Sequence, residues 1–363
     1  MHRRTLAMPV VIAAAVFVRL AYAASPASEA QFPEVRPGSS FQFPADHGAH
    51  PAFRNEWWYI TGWLKRPNGS PIGFQVTFFR FRPGIAEGNP SAFAPKQILF
   101  AHAAISDPAL GKLLHEERFY REGFGLAQAA TKDADVVIGD WRLVRSVDGK
   151  FHTTVTGKDF SLNLSFAPLQ PVLLEGDNGY SRKSPRPGDA SYYYSIPNLS
   201  VSGTVARNGH NESVSGSAWL DREWSSNYLN PKATGWDWIG LNLDGGGALM
   251  AFRIRGSDGE IIWAGGTLRD ADGTVHVFAP GDVQFTTSRR WRSPQTGAEY
   301  PVETVVAVRL PNGKREWHLT PLFDNQEYDS RGTGGPVYWE GAVRAAGASG
   351  YFEMTGYYRP LRL

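Results

Sequence analysis

The chain has 363 residues, with 37 Lys and Arg against 35 Asp and Glu, 42% hydrophobic residues and no Cys. Without Cys it has no disulfides, thiolate nucleophiles or Cys-ligated zinc, and no Lys/Arg-rich run supplies the footprint of a nucleic-acid binder. The formal charge of +2 includes Arg3, Arg4 and Arg19, and no acid stands among the first 23 residues, so the rest of the chain carries −1.

In chain order, the first element is a leader. MHRR (Met1 to Arg4) is basic, LAMPVVIAAAVFV is apolar, and AYA (Ala21 to Ala23) has the small-x-small form of a cleavage site. This predicts a signal peptide over residues 1–23, cleaved near Ala23, and a periplasmic or secreted product. The apolar run is shorter than the roughly 20 residues of a spanning helix, so no membrane span is expected. Residues 24–40 (ASPASEAQFPEVRPGSS) are polar and Pro-rich and read as an extended linker.

From Phe41 onward, period-two alternation dominates. FQVTFFRFR (Phe74 to Arg82), VVAVRL (Val305 to Leu310) and YFEMTGYY (Tyr351 to Tyr358) alternate β-branched and aromatic residues with small or polar ones, the signature of half-buried strands. PNGS at Pro67, DGG at Asp244, SDGE at Ser257, ADGT at Ala271 and PNG at Pro311 are turn signals between such runs. No convincing amphipathic helix exceeds about two turns. Many short strands at this spacing indicate antiparallel sandwiches or barrels.

The two halves echo each other. WYITGWL (Trp58 to Leu64), a PNGSPIG turn and a strand ending in Arg80 and Arg82 match WDWIGLNL (Trp236 to Leu243), a DGGG turn and LMAFRIR ending in Arg253 and Arg255. The expected fold is therefore all-β, two tandem antiparallel barrels packed together with few short helices. Residues 41–220 form the first barrel and 221–363 the second, divided near SAWLDREWSS.

Asp46, His47, His50 and Glu56 are ligand types, but Gly48 and Pro51 make the His-x-x-His stretch a loop, and neither a metal nor another cofactor is expected. There is no G-x-S-x-G and no H-E-x-x-H; HEER at His115 lacks a second His, and Ser217 sits in a strand-like context. Carboxylates in aromatic settings are the stronger signal. Glu56 precedes Trp57 and Trp58, Asp221 and Glu223 sit between Trp219 and Trp224, and Asp237 lies between Trp236 and Trp238. A carboxyl walled by indole rings loses solvation, so its pKa rises and it can act as a general acid, while the ring faces stabilise a developing carbocation. The opposing possibility is that Arg54, Arg222, Arg253 and Arg255 hold these acids in structural ion pairs, which would lower the same pKa values.

HPAFRNEWWYITGWL, SAWLDREWSSNYL, GWDWIGLNLDGGGALMAFRIR and GYFEMTGYY together resemble the carotenoid 1,2-hydratase (hydroxyneurosporene synthase) superfamily, in particular its branch of predicted secreted hydrolases. The resemblance runs from about Phe41 to Leu363. It implies two lipocalin-like barrels, the first carrying the hydratase-type domain, and relatives that add water to isoprenoid double bonds or guide pericyclic ring closure. It also implies an acid with nearby His, Trp and Tyr, whereas here Arg222 stands beside Asp221 where a His is wanted. Asp221 and Glu223 are the leading acid candidates, followed by Glu56 and Asp237; Trp57, Trp58, Trp224, Trp236, Trp238 and Arg54 are the candidates to bind substrate. Two readings stay open: an exported enzyme that hydrates a hydrophobic, isoprenoid-like molecule, or an exported carrier of lipids or other hydrophobic ligands serving an envelope transporter.

Overall fold

The structure, a computed structural model, describes residues 30–85 and 87–361. The expected leader over residues 1–23 lies outside the described residues. No helix among those described is long and apolar enough to cross a membrane. Part of the expected linker is described and packs on the first sheet: Val35 is buried with Tyr180 and Ala190, and the Arg54 guanidinium lies 4.3 Å from the centre of the Phe32 ring.

The alternating runs form two antiparallel sheets. The first contains β1 (Asn55–Lys65), β2 (Pro71–Phe81), β3 (Ile98–Asp107), β4 (Lys112–Arg121), β5 (Ala127–Ala129), β6 (Asp135–Ile138), β7 (Trp141–Arg145), β8 (Phe151–Thr156), β9 (Phe160–Pro168), β10 (Leu173–Leu174), β11 (Tyr180–Arg182), β12 (Ala190–Arg207) and β13 (His210–Ser225). Its order is β4-β3-β2-β1-β13-β12-β9-β8-β7-β6-β5, with β10 and β11 also paired to β12. The second contains β14 (Ala233–Leu243), β15 (Ala248–Gly256), β16 (Ile261–Arg269), β17 (Val275–Phe278), β18 (Val283–Arg292), β19 (Glu299–Leu310), β20 (Gly313–Pro321), β21 (Glu327–Asp329), β22 (Val337–Ala345) and β23 (Ala348–Thr355). Its order is β17-β16-β15-β14-β23-β22-β20-β19-β18, with β21 on β22.

In each sheet the strands at the two ends of the order are consecutive in the chain, β4 with β5 and β17 with β18. The two ends of each sheet therefore lie close together, and in the first a tight turn with a bridge between Gly123 and Ala127 connects β4 to β5. The repeat expected from sequence is visible in the wiring, since β1 lies between β2 and β13 as β14 lies between β15 and β23. The tight turns fall where glycine permits the left-handed backbone they require, as at Gly69 (φ +85°) between β1 and β2 and Gly245 (φ +84°) between β14 and β15.

The boundary expected between Leu220 and Asp221 falls inside a strand. β13 pairs with β1 from Asn55 opposite Ser225 to Lys65 opposite Ser215, so residues 221–225 belong to the first sheet. The change of sheet comes between Ser225 and Ala233. WLDREW alternates with period two throughout, which carries the strand across the expected boundary.

Side-chain alternation divides each strand between two destinations. Trp58, Ile60 and Leu64 of β1 and Leu220 and Trp224 of β13 fill the first barrel together with Phe74, Phe78, Trp141 and Phe166. Ile239, Leu241, Phe285, Val306, Trp339 and Phe352 are among those filling the second. The opposite faces meet in a third buried cluster, in which Tyr59, Trp63, Tyr193 and Trp219 of the first barrel pack on Trp238, Met250, Phe252, Ala342 and Tyr351 of the second. Polar contacts fix this seam: Trp63 Nε1 donates to the Gly350 carbonyl at 2.9 Å, Asn242 Nδ2 to that of Ala218 at 3.1 Å, and His102 Nδ1 lies 2.9 Å from Tyr338 Oη.

Candidate active site

In each barrel an interior acid stands among that barrel's own arginines. Glu56 stands directly across the β1–β2 pair from Arg80 and forms ion pairs with Arg80 and Arg222. Burial pushes its carboxyl up, but the guanidiniums of Arg222 and Arg80, with His50, outweigh this and hold it well below the usual carboxylate range. Trp58 and Trp224 belong to the same group: the Arg222 guanidinium lies 3.9 Å from the Trp58 ring centre, and the His50 ring stacks on Trp224 at 3.8 Å. Asp237 repeats the arrangement across β14–β15, where Arg253 Nε is 2.6 Å and Arg255 Nε 3.4 Å from its carboxylate and Tyr357 Oη donates at 3.0 Å. Glu56, Asp237, Trp58 and Trp224 thus face barrel interiors and not the seam.

The acids of the seam are in a different condition. One residue along from these interior positions, period two turns Asp221 and Glu223 of β13 outward toward the second barrel, alongside Trp219. Tyr193 Oη donates to Asp221 Oδ2, and Ser195 Oγ and Trp219 Nε1 to Oδ1, each at 2.6 Å. No cation pairs with Asp221 among the described residues, and burial pushes it up to about 7 against these hydrogen bonds. Glu175, on the segment between β10 and β11, is fully buried; desolvation, reinforced by the charge of Asp221, takes it to about 8.

From the second barrel, Glu340 of β22 and Glu353 of β23 stand opposite each other across the strand pair. Tyr59 Oη donates to Glu340 Oε1 at 2.5 Å, and burial, with Glu353 as a like charge, holds Glu340 well above its ordinary value. Burial likewise takes Glu353 to about 7.

Among the described residues, Lys183 is the cation that pairs with an acid of this group. Lys183 Nζ, 2% exposed at its side chain, lies 2.9 Å from Glu223 Oε1 and 4.5 to 5.3 Å from the ring centres of Phe252, Tyr193 and Tyr228. Burial still raises Glu223, with Lys183 and Ser191 opposing the rise. The seam therefore combines carboxyls held protonated into the neutral range with one carboxyl bonded to an ammonium, between aromatic walls. A pair of titratable groups in such divergent environments can supply both an acid and a base at one pH.

Tyr228 separates this group from solvent. It lies on the Ser226–Lys232 connection between the barrels, packs edge-on against Trp57 (4.9 Å between ring centres) and Trp236 (5.9 Å), and its phenol is raised by burial and by the charges of Glu223, Glu353 and Asp221. On its outer side is an open cleft of about 970 Å³, lined by Arg54, Tyr228, Leu229, Lys232, Glu260 and Leu361 among others. Of the residues singled out from sequence, Asp221, Glu223, Trp57, Trp236 and Trp238 come together at the seam, and Arg54 borders the cleft.

Glu175, Lys183, Tyr193, Ser195, Tyr228, Glu340 and Glu353 were not singled out. Glu340 in VYWEGAV and Glu353 in YFEMTGY carry the same signal as Glu56, an acid flanked by aromatics in an alternating run. Glu175 in LLEGD and Lys183 in SRKSP carry no such signal and reach the seam only through the path of the loop.

The AttH-like family matches residues 34–357. Among solved structures, that of a protein provisionally assigned to AttH from Nitrosomonas europaea superposes with a TM-score of 0.83 at 51% identity, covering 90% of this chain and 100% of that one. Kievitone hydratase from Nectria haematococca superposes with a TM-score of 0.64 at 12% identity, over 90% of this chain and 96% of that one. CghA in complex with Sch210972 gives 0.51 at 12% identity, over 83% and 87%. At that identity these two share the fold with this chain. No curated protein sequence matches it.

Proposed function

The chain belongs to the AttH-like family, within the hydratase superfamily its motifs resemble, and on that footing we propose that it is a hydratase-type enzyme acting on a hydrophobic small molecule at the inter-barrel seam. The observation that carries the reading is the convergence of Asp221, Glu175, Glu340 and Glu353, all raised, with Lys183-paired Glu223 between aromatic walls. Asp221 delivers a proton to an alkene carbon, the π-faces of Trp219, Trp238 and Tyr193 stabilise the cation that forms, and Glu223 takes the proton from the adding water. Substrate enters from the cleft past Tyr228, with Trp57 and Trp236 at the threshold. An isoprenoid-like substrate is the class such a lining suits. The fold of kievitone hydratase, named for a hydration, is consistent with the reading.

The protein works after export, in the periplasm or outside the cell, within the secreted branch of the superfamily; the basic-apolar leader supports this. A carrier of lipids or other hydrophobic ligands for an envelope transporter is the competing role. Mass spectrometry of the molecule that co-purifies from the native host, with wild type and the Asp221→Asn and Glu223→Gln variants, separates the two. The enzyme reading expects a chemically altered molecule with wild type and unaltered molecule retained by the variants. The same unaltered molecule from all three would favour the carrier.

A further inference from the structure

Ser195 Oγ lies 2.6 Å from Asp221 Oδ1 and 2.7 Å from Glu175 Oε1. A hydroxyl carries one proton and can donate it to only one of these oxygens, so the other contact needs a proton on a carboxyl. The remaining partners decide which carboxyl holds it. Asp221 already accepts from Tyr193 and Trp219, so when the two carboxyls keep a single proton between them near neutral pH, Asp221 is the one furnished to be ionised. Glu175 Oε2, by contrast, is buried without a partner in hydrogen-bonding geometry; the hydroxyls of Thr267 and Ser195 oppose the rise of the carboxyl without cancelling its burial, and among the described residues Glu175 makes no ion pair. The charged and titratable groups around it are otherwise engaged. Lys183 is paired with Glu223, Arg269 donates from one guanidinium nitrogen to the Pro171 carbonyl at 2.8 Å and from another to Gln170 Oε1, and Tyr193 donates to Asp221. Thr267 Oγ1, from the second barrel, accepts from the Gly176 backbone at 3.1 Å and holds the Glu175 segment against the seam.

Building on the acid-site reading, we infer that Glu175 is the proton store of the site and that Ser195 is the relay through which its proton reaches Asp221. The O–H bond of Glu175 breaks as one forms at Ser195 Oγ. The former hydroxyl proton forms the O–H bond of Asp221, so negative charge passes from Asp221 to Glu175 and Ser195 is unchanged. Asp221 then protonates the substrate, Glu223 takes the proton that the adding water releases, and between turnovers Glu223 gives its proton to solvent while Glu175 takes one back from it. Glu175 acts only through Ser195 and is a positioning residue; Asp221 is the group that meets the substrate.

Infrared spectroscopy of the purified full chain at pH 7 tests this without any substrate, because a protonated carboxyl shows a C=O stretch distinct from carboxylate bands and shifts in D2O. The wild type minus E175Q difference should contain one carboxylic-acid band per chain that moves on exchange into D2O. E175D should restore the band, and D221N and S195A should keep it at an altered frequency, since the acceptor chain beyond Glu175 has changed. No such band in the difference spectrum, or its loss in D221N with retention in E175Q, would overturn the assignment. Because the readout needs no turnover, failure here leaves the acid-site reading intact, and a preserved band in a protein without activity would count against that reading alone.

Discussion

Replacing Asp221 by Asn should stabilise the protein at alkaline pH and do much less at acid pH. The residue is 3% exposed, and its carboxyl is raised from 3.8 in the unfolded chain to about 7 in the fold by burial. An acid with a raised native pKa is protonated in the fold while the unfolded chain has already released its proton. Its contribution is therefore intact below pH 3.8, is lost progressively as pH rises toward about 7, and is level above that. At ~1.4 kcal/mol per pH unit, the loss at pH 5 is about 1.6 kcal/mol and at pH 8 about 4 kcal/mol. Asn keeps the shape of Asp and its oxygen still accepts from Trp219 and Ser195, so whatever the amide itself costs is the same at both pH values. The stability of the variant relative to wild type should therefore be ~2–3 kcal/mol more favourable at pH 8 than at pH 5. Urea denaturation followed by Trp fluorescence measures this. An offset equal at the two pH values would refute the reasoning, because it would mean that Asp221 titrates in the fold as it does in the unfolded chain.

Glu56→Gln should cost ~3–5 kcal/mol, since it leaves the buried guanidiniums of Arg80 and Arg222 without their anion; because the native pKa of Glu56 is depressed, its contribution is present above the unfolded pKa of 4.5 and lost as pH falls below it, so melts of the variant should show a flatter acid limb. Lys183→Met alone and Glu223→Gln alone should each destabilise by ~3 kcal/mol, and the double variant by clearly less than their sum, which a double-mutant cycle of denaturation midpoints reads directly. At the seam, a Cβ on Gly73 would meet Tyr351 Oη at 2.5 Å and Ala342 Cβ at 2.8 Å. Gly73→Ala should therefore cost ~1–3 kcal/mol and speed proteolysis of the Ser226–Lys232 connection.

Much of the architecture was legible in alternation and turn chemistry. The runs around Phe74, Val305 and Tyr351 are strands, and the hairpin read at Trp58 recurs at Trp236 in its wiring, although Trp58 points into its barrel and Trp236 onto the seam, with Asp237 as the counterpart of Glu56. The division between barrels was misplaced because SAWLDREWSS combines charged residues, which suggest a junction, with the period of a strand that continues through them. The candidate site shows where single-sequence reasoning runs out. Alternation assigns Glu56 and Glu223 to opposite faces only once the pairing of β1 with β13 is known, so acids in equally aromatic settings looked equivalent. Arg80 and Arg222 neutralise Glu56 because they point into the same barrel; Asp221, one residue from Arg222, points away from it. Glu175 and Lys183 arrive on a loop whose path depends on the packing of the second barrel, and no local pattern carries that information.

The central claim is that the seam adds water to a hydrophobic molecule by proton transfer from Asp221. It is tested most directly by incubating the protein with an apolar extract of its native host in water enriched in heavy oxygen and examining the products by mass spectrometry. The account predicts a molecule that gains the elements of one water carrying the heavy oxygen with wild type, and none with Asp221→Asn. Incorporation that is absent from wild type, or equal in the two proteins, would contradict it.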